Sequence, residues 1–281
     1  MISLIRLKEN MEFNKNLDEI INALRITTSF KLRQFQVRKK NEERFLEELN
    51  GFLTMLSDFR HPYLNSRKGH KLVVVITSDE GFLGELNTLL INTALEEKKE
   101  GDEILVLGRK GADYLEDLKE KYTFMPAVSE KIEDKEVENL RNYLMNEYLK
   151  KRLSSILIVY SEFISIAFQR VRVEKILPFS VAKKELIKSE EILIESSFES
   201  VIEGLISLGL SFIISNIFYS SKLSEFSARL MHLEKSSQEL NRINQDLRLQ
   251  YFKTLHILAD ERIREIFASK LLWRKKEVTT Y

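Results

Sequence analysis

The chain has 281 residues, 43% apolar and 31% charged, with only 9 Gly and 3 Pro, which excludes a disordered or collagen-like polymer and points to long unbroken elements. Its 44 Lys and Arg against 43 Asp and Glu leave a net charge of +1, too even for bulk attraction to nucleic acid or anionic lipid. The absence of Cys removes disulfides, thiolate metal sites and cysteine nucleophiles together, and fits a reducing compartment.

The N-terminal MISLIRLKENMEF meets charge every few residues and has no small-residue cleavage site, so a signal peptide and export are not expected. Residues 1–50 lack Gly and Pro, and a helix is predicted there. Leu17, Ile21, Leu24 and Thr28 step by three and four, and Phe45, Leu49, Phe52, Leu56 and Phe59 resume that spacing in phase. Between them Lys31, Arg38 and Glu42 fall on seam positions and Phe35 holds one, so this part of the seam is expected to need solvent or a different partner.

All three Pro and seven of the nine Gly lie between Gly51 and Pro178. There the period changes: Lys71 to Thr77, Glu103 to Leu107 and Ser155 to Tyr160 are short runs rich in Val and Ile, as in buried parallel strands. Residues 83–99, 109–120 and 133–151 read as intervening helices, a β-α-β-α series that implies a parallel sheet. Phe168 to Phe179 and Glu191 to Ser196 are expected as edge strands. Gly204 to Ser221 is an 18-residue stretch without charge, at the lower limit for a membrane span. Its five Ser, Asn216 and the adjacent Glu203 favour a helix buried in protein on all sides, with no direct membrane span. From residue 210 to the end no breaker occurs, and Leu223, Phe226, Leu230, Leu233, Ser237, Leu240, Asn244, Leu247, Tyr251, Thr254 and Leu258 form a coiled-coil seam. Ser237 and Asn244 weaken that seam while fixing register or partner. The expected domains are a helix over 1–60, an α/β domain over 66–197 and a second helix over 198–281.

Chemistry is sparse. The turn TSDEGFLGELN, Thr77 to Asn87, can be read as a phosphate-binding loop because it places Gly between a strand and a helix N-terminus, but it lacks the G-x-x-x-x-G-K-[ST] string. The alternative is a tight turn in which Gly81 and Gly84 permit close helix-strand packing; GRKG at Gly108 to Gly111 is of the same kind. His61, His70, His232 and His256 have no metal spacing, and His232 and His256 are expected to face solvent or a partner. No carboxylate pair stands out as acid and base, and there is no G-x-S-x-G. The basic groups Lys31, Arg33, Arg38, Lys39 and Lys40, and Arg274, Lys275 and Lys276, read as solvated helix surface. No cofactor and no nucleic acid is expected.

Several strings, in order, resemble one family: the gamma subunit, or central rotor shaft, of F-type rotary ATPases. VVVITSDEGFLGELN resembles the family's strand followed by T-S-D-x-G-L-x-G-x-L-N, keeping Thr77, Ser78, Asp79, Gly81, Gly84 and Asn87. ILVLGRKG resembles its second strand and turn. LDEIINALRITTSFKL resembles its early helix with Lys31 and Leu32, and SEFSARL its S-E-x-x-A-R-M, keeping Ser224, Glu225, Ala228 and Arg229. The resemblance covers nearly the whole chain, with departures near the end. HLEKSSQEL replaces a small-residue run. FKTLHILADER stands where the family has N-x-x-R-Q-x-x-I-T-x-E, so that Leu255, His256, Ala259, Asp260 and Arg262 occupy the places of its polar contact residues. Those contacts do not carry over, and the tail Leu271 to Tyr281 runs past where many members stop.

The resemblance implies an antiparallel coiled coil of long N- and C-terminal helices with an inserted Rossmann-like α/β domain. It also implies a non-catalytic shaft inside a hexamer of alpha and beta ATPase subunits, whose rotation changes the affinity of nucleotide sites. An epsilon-type subunit and a membrane rotor, or another load, would meet the globular domain. The place would be cytoplasmic and peripheral to the membrane. Lys31, Asp79, Gly81, Gly84, Asn87, Glu225 and Arg229 would serve partner contacts. The lost contact string points to a specialised relative not coupled to ordinary proton flow. Two other readings stand beside it: a standalone coiled-coil adaptor, which would pair between chains, and an enzyme using the α/β domain.

Overall fold

The computed structural model describes residues 4–38, 61–65, 67–179 and 198–278. The expected edge strand at Glu191 to Ser196 lies outside them, as do Lys39, Lys40, Glu42, Phe45, Leu49, Phe52, Leu56 and Phe59. The elements in order are α1 (Leu4–Arg38), β1 (Lys71–Ile76), α2 (Leu86–Glu97), β2 (Glu103–Leu107), α3 (Arg109–Asp117), β3 (Thr123–Met125), α4 (Asp134–Lys150), β4 (Ser155–Phe163), β5 (Gln169–Leu177) and α5 (Phe198–Val278). By packing, Thr28–His232 form one unit, and Met1–Thr27 with Leu233–Tyr281 form another.

In the first unit the strands lie in the order β3-β2-β1-β4-β5. β1, β2, β3 and β4 are parallel, and β5 returns antiparallel to β4 as a hairpin. The central strands are apolar throughout because both faces are covered. On β1, Leu72, Val74 and Ile76 face one core and Val73 and Val75 the other, following the two-residue period of a strand. The first core is completed by Val137, Leu140, Leu144 and Tyr148 of α4 and by Ile202, Ile206, Leu210, Ile214, Ile217 and Phe218 of α5. The second is completed by Leu90, Ile91 and Ala94 of α2 and by Ala112 and Leu115 of α3. α5 is long and apolar enough to cross a membrane by length and composition. Its uncharged stretch nevertheless places a stripe every three or four residues into the sheet core. Protein does not surround it on all sides, since Leu208 is 49% exposed.

Within the same unit Leu32 and Phe35 of α1 pack with Leu223 and Phe226 of α5. Phe35 and Phe226 meet edge to face at 5.4 Å between ring centroids. In the other unit Leu17 and Ile21 pack with Leu233 and Leu240. The Arg25 guanidinium meets Glu234 at 2.8 Å, and the Ser237 hydroxyl donates to Asp18 at 3.3 Å. Higher numbers on α1 face lower numbers on α5, so these segments run antiparallel within one chain.

The α1 seam differs from the predicted one. Its inward positions are Leu7, Met11, Asn14, Asp18, Ile21, Arg25, Thr28, Leu32 and Phe35, all buried or half-buried, whereas Leu24 is 37% exposed. The two frames share Ile21, Thr28 and Phe35. Burying Leu32 costs nothing that burying the Lys31 ammonium would, and Arg25 at the seam edge reaches Glu234 with its head while its stem packs. The seam is therefore not interrupted by Lys31. On α5, Asn244, Leu247, Tyr251 and Thr254 are half-buried, and every residue from Leu255 to Lys270 is exposed.

Candidate functional site

Parallel sheets bind ligands where the strand order reverses, outside the carboxyl ends of the strands. Here that place lies between β1 and β4, under the Thr77 to Asn87 turn. Thr77 is buried, and its hydroxyl donates to the Leu107 carbonyl at 2.8 Å while accepting from the Gly111 N–H at 3.2 Å. Gly108, at φ +105, brings its Cα so close that a Cβ would lie 2.6 Å from the Thr77 carbonyl oxygen, and one on Gly111 would lie 2.5 Å from the Thr77 hydroxyl. These two glycines permit the close packing expected of Gly81 and Gly84. Gly81 has open space around it, and Gly84 is needed for its φ of +59.

Beyond Thr77 the turn is tied by its own side chains. The Ser78 N–H donates to Asn87 Oδ1 at 3.3 Å, Asn87 Nδ2 donates to Ser78 Oγ at 3.0 Å, and Ser78 Oγ donates to the Glu80 carbonyl at 2.8 Å. Asp79 Oδ1 accepts the N–H of Arg109 at 2.7 Å, putting a carboxylate on the open N-terminus of α3, whose own cap Gly108 has no side chain. The N–H groups of Ser78 and of Arg109 at the start of α3 are thus already engaged within the protein. What remains of the crevice is about 10 Å³, edged by Ser78, Asn87, Ser161, Ser221 and Glu225, and one water is the most it holds. Among the described residues no group of three His, Asp or Glu is placed to hold a metal.

α5 closes the crevice with charge. Glu225 and Arg229 are 8% and 6% exposed. Glu225 accepts from Lys222 at 2.7 Å and from Arg229 at 2.9 Å. Arg229 also donates to the Gly81 carbonyl at 3.3 Å, pairs with Glu80 at 3.0 Å, and lies over the Phe226 ring at 6.0 Å. Two cations face two carboxylates in this network, so no buried charge is left uncompensated. Glu80 and Lys222 were not singled out from the sequence. The signal for Lys222 is the Lys-x-x-Glu-x-x-x-Arg spacing, which puts three charges on one helix face directly after an uncharged stretch, whereas Glu80 carries no such signal. The turn thereby holds Phe82, at φ 63 and 56% exposed, with its ring 6.4 Å from His232, which is half-buried rather than free in solvent. Asp79, Gly81, Gly84, Asn87, Glu225 and Arg229 are brought together. Lys31 is elsewhere, its ammonium paired with Glu130.

The second unit carries surface of another kind. Ile5, Phe13, Ile20 and Ile26 on α1, and Leu249, Phe252, Ile263, Ile266 and Phe267 on α5, are 50% to 71% exposed. Large outward apolar side chains recurring along both helices mark an interaction surface.

A family model described as ATP synthase matches residues 3–255. The ATP synthase gamma chain of Clostridium novyi (strain NT) is 28% identical over 284 residues, covering 94% of this chain and 95% of the relative. That of Clostridium botulinum (strain 657 / Type Ba4) is 28% identical over 274 residues with the same coverage. Among solved structures, a chain of the Euglena gracilis mitochondrial ATP synthase (OSCP/F1/c-ring, rotational state 3) has a TM-score of 0.76 at 18% identity, covering 98% of this chain and 95% of that one. A chain of the Tetrahymena thermophila enzyme's central stalk and c-ring has a TM-score of 0.60 at 16% identity, covering 78% and 99%. At such identities these two likenesses speak to the fold alone.

Proposed function

The chain belongs to the ATP synthase gamma family as a central-stalk subunit of an F-type ATPase, and from that premise we propose that its paired ends turn, without catalytic residues of their own, inside a ring of alpha and beta subunits. The observation that carries this reading is the antiparallel pairing of the two chain ends, with apolar side chains pointing outward from the pair. One seam buries one face of each helix, and a surrounding sleeve is what the outward faces fit. Torque then follows from differential contact: a sleeve that binds nucleotide in one state touches these faces differently from one that does not.

The sheet unit would meet a small epsilon-type subunit and a membrane rotor or other load, on the cytoplasmic side and peripheral to the bilayer. In the turn, Asp79, Glu80, Phe82 and Glu85 carry the exposed side chains offered to a partner, with Gly81, Gly84, Asn87, Glu225 and Arg229 acting through the shape they impose; Lys31 offers a second contact. The family match ends at Leu255, where continuous exposure begins and inside the segment whose polar contact residues are replaced. This favours a specialised complex whose load is not ordinary proton flow. Native purification of the tagged chain tests the assignment: P-loop ATPase subunits in threefold excess and ATP hydrolysis are expected. A chain that purifies as a homodimer without them would instead support the adaptor reading.

A further inference from the structure

The β4–β5 hairpin ends in a short loop that belongs neither to the turn described above nor to the paired helices. Ile164, Ile166 and Phe168 are 50%, 41% and 58% exposed, three large apolar side chains within five residues. The loop that carries them is fixed. The Ser165 N–H donates to the Phe168 carbonyl at 3.0 Å, and the Phe168 N–H donates back to the Ser165 carbonyl at 3.2 Å. Gln169 Nε2 donates to the carbonyls of Ser165 and Ile166 at 3.1 and 2.9 Å. Below the loop the hairpin is pinned to α5, Ser220 Oγ accepting the Phe163 N–H and Ser224 Oγ donating to the Ser161 carbonyl. The ordering cost of binding is therefore largely met before any partner arrives.

The base of the loop sets the charge a partner would meet. Glu162 accepts two bonds from Arg170, at 2.6 and 3.1 Å, and one from Arg172 at 2.7 Å. The carboxylate is the covered member, its side chain 18% exposed, while the guanidinium-bearing side chains are 59% and 47% exposed. An approaching surface thus meets guanidinium around an apolar tip.

We propose that this hairpin tip is a docking hook: Ile164, Ile166 and Phe168 enter an apolar pocket on a partner subunit, and Arg170 and Arg172 meet carboxylates on that pocket's rim. A protein pocket fits better than a bilayer, because three side chains and two partly neutralised cations fall short of what stable interfacial anchoring takes. The proposal rests on the reading of this chain as one subunit of a larger assembly.

The test places a photoreactive benzoylphenylalanine at position 168 of the full-length chain, with irradiation of the intact native assembly and mapping of the adduct by mass spectrometry. The expected result is an adduct on one partner chain, in an apolar segment bearing Asp or Glu. Its yield should fall about fivefold or more in an Arg170→Ala, Arg172→Ala background or at high salt. Phe168→Leu should retain that partner through purification and Phe168→Ser should lose it, with unchanged circular dichroism in both. Adducts confined to this chain, adducts to lipid, or no adduct overturn the hook. An assembly without ATPase subunits would instead count against the stalk assignment.

Discussion

The unit built on the sheet and the unit built from the chain ends bury themselves by different means. In the sheet unit the central strands are sealed on both faces: Val73, Val74, Val75, Leu105, Val106, Ile158 and Val159 are all 0% exposed. In the paired ends a single seam buries Leu7, Ile21, Leu233, Ser237 and Leu240, while Phe13 and Ile26 stand 66% and 69% exposed. A three-layer core supplies its own stability, whereas two helices leave most of their circumference open. The difference teaches that the sheet unit is finished within the chain and the helix pair is finished by something around it.

The largest expected effect comes from breaking charge inside the finished unit. Glu225→Gln removes the carboxylate that Lys222 and Arg229 share, leaving the buried Lys222 ammonium without its counter-ion, and should cost about 3–5 kcal/mol of unfolding free energy. Urea denaturation followed by circular dichroism measures it. The double variant Lys222→Met, Glu225→Gln, which leaves Arg229 paired with Glu80, should recover most of the loss; if it does not, the network is not what closes the crevice.

Next in size, Leu233→Ala removes a seam residue that is 1% exposed, and about 2 kcal/mol is expected. Hydrogen exchange should show the loss confined to residues 4–27 and 233–254, with the sheet amides unchanged. Equal loss in both units would erase the contrast between them. Asp79→Ala removes the carboxylate at the start of α3, for about 1 kcal/mol, with faster exchange at Arg109 to Ala112 as its signature.

The smallest effect is a pH dependence at the hairpin. Hydrogen bonds from Arg170 and Arg172 hold the Glu162 carboxyl below its ordinary value of 4.5, against the opposing pull of burial. A depressed folded value stabilises above the unfolded value, so this contribution is present above about pH 4.5 and lost as pH falls through the folded value. Glu162→Gln should flatten the stability profile below pH 4.5 and leave it unchanged at pH 7 apart from a constant offset.

Much of the sheet was legible because strands covered on both faces need short, continuous runs of Val and Ile, and β1, β2 and β4 have them. The antiparallel sense of β5 was not, since Gln169 to Leu177 carries no mark of direction. β3 escaped because three residues, Thr123 to Met125, show no period. The α1 seam was half legible: frames through Leu24 and Lys31 or through Arg25 and Leu32 share Ile21, Thr28 and Phe35. Only the partners Glu234 and Leu223, about two hundred residues away in sequence, decide between them. At the turn, Asp79, Glu225 and Arg229 could be picked out by their resemblance to a family string, but not their roles. Capping a helix two elements away and closing a crevice with charge depend on β2 and α5 arriving at the same place.

The central claim, that one chain folds its two ends into a single shaft, is tested most directly with cysteines at two contacting seam positions. The chain has no Cys of its own, so Asp18→Cys with Ser237→Cys would supply its only thiols, at residues whose side chains now touch. Oxidation of the double variant within the purified assembly should give a disulfide inside one chain, running at monomer mass on non-reducing gels and absent from either single variant. A disulfide found only between two chains, at dimer mass, would contradict the shaft.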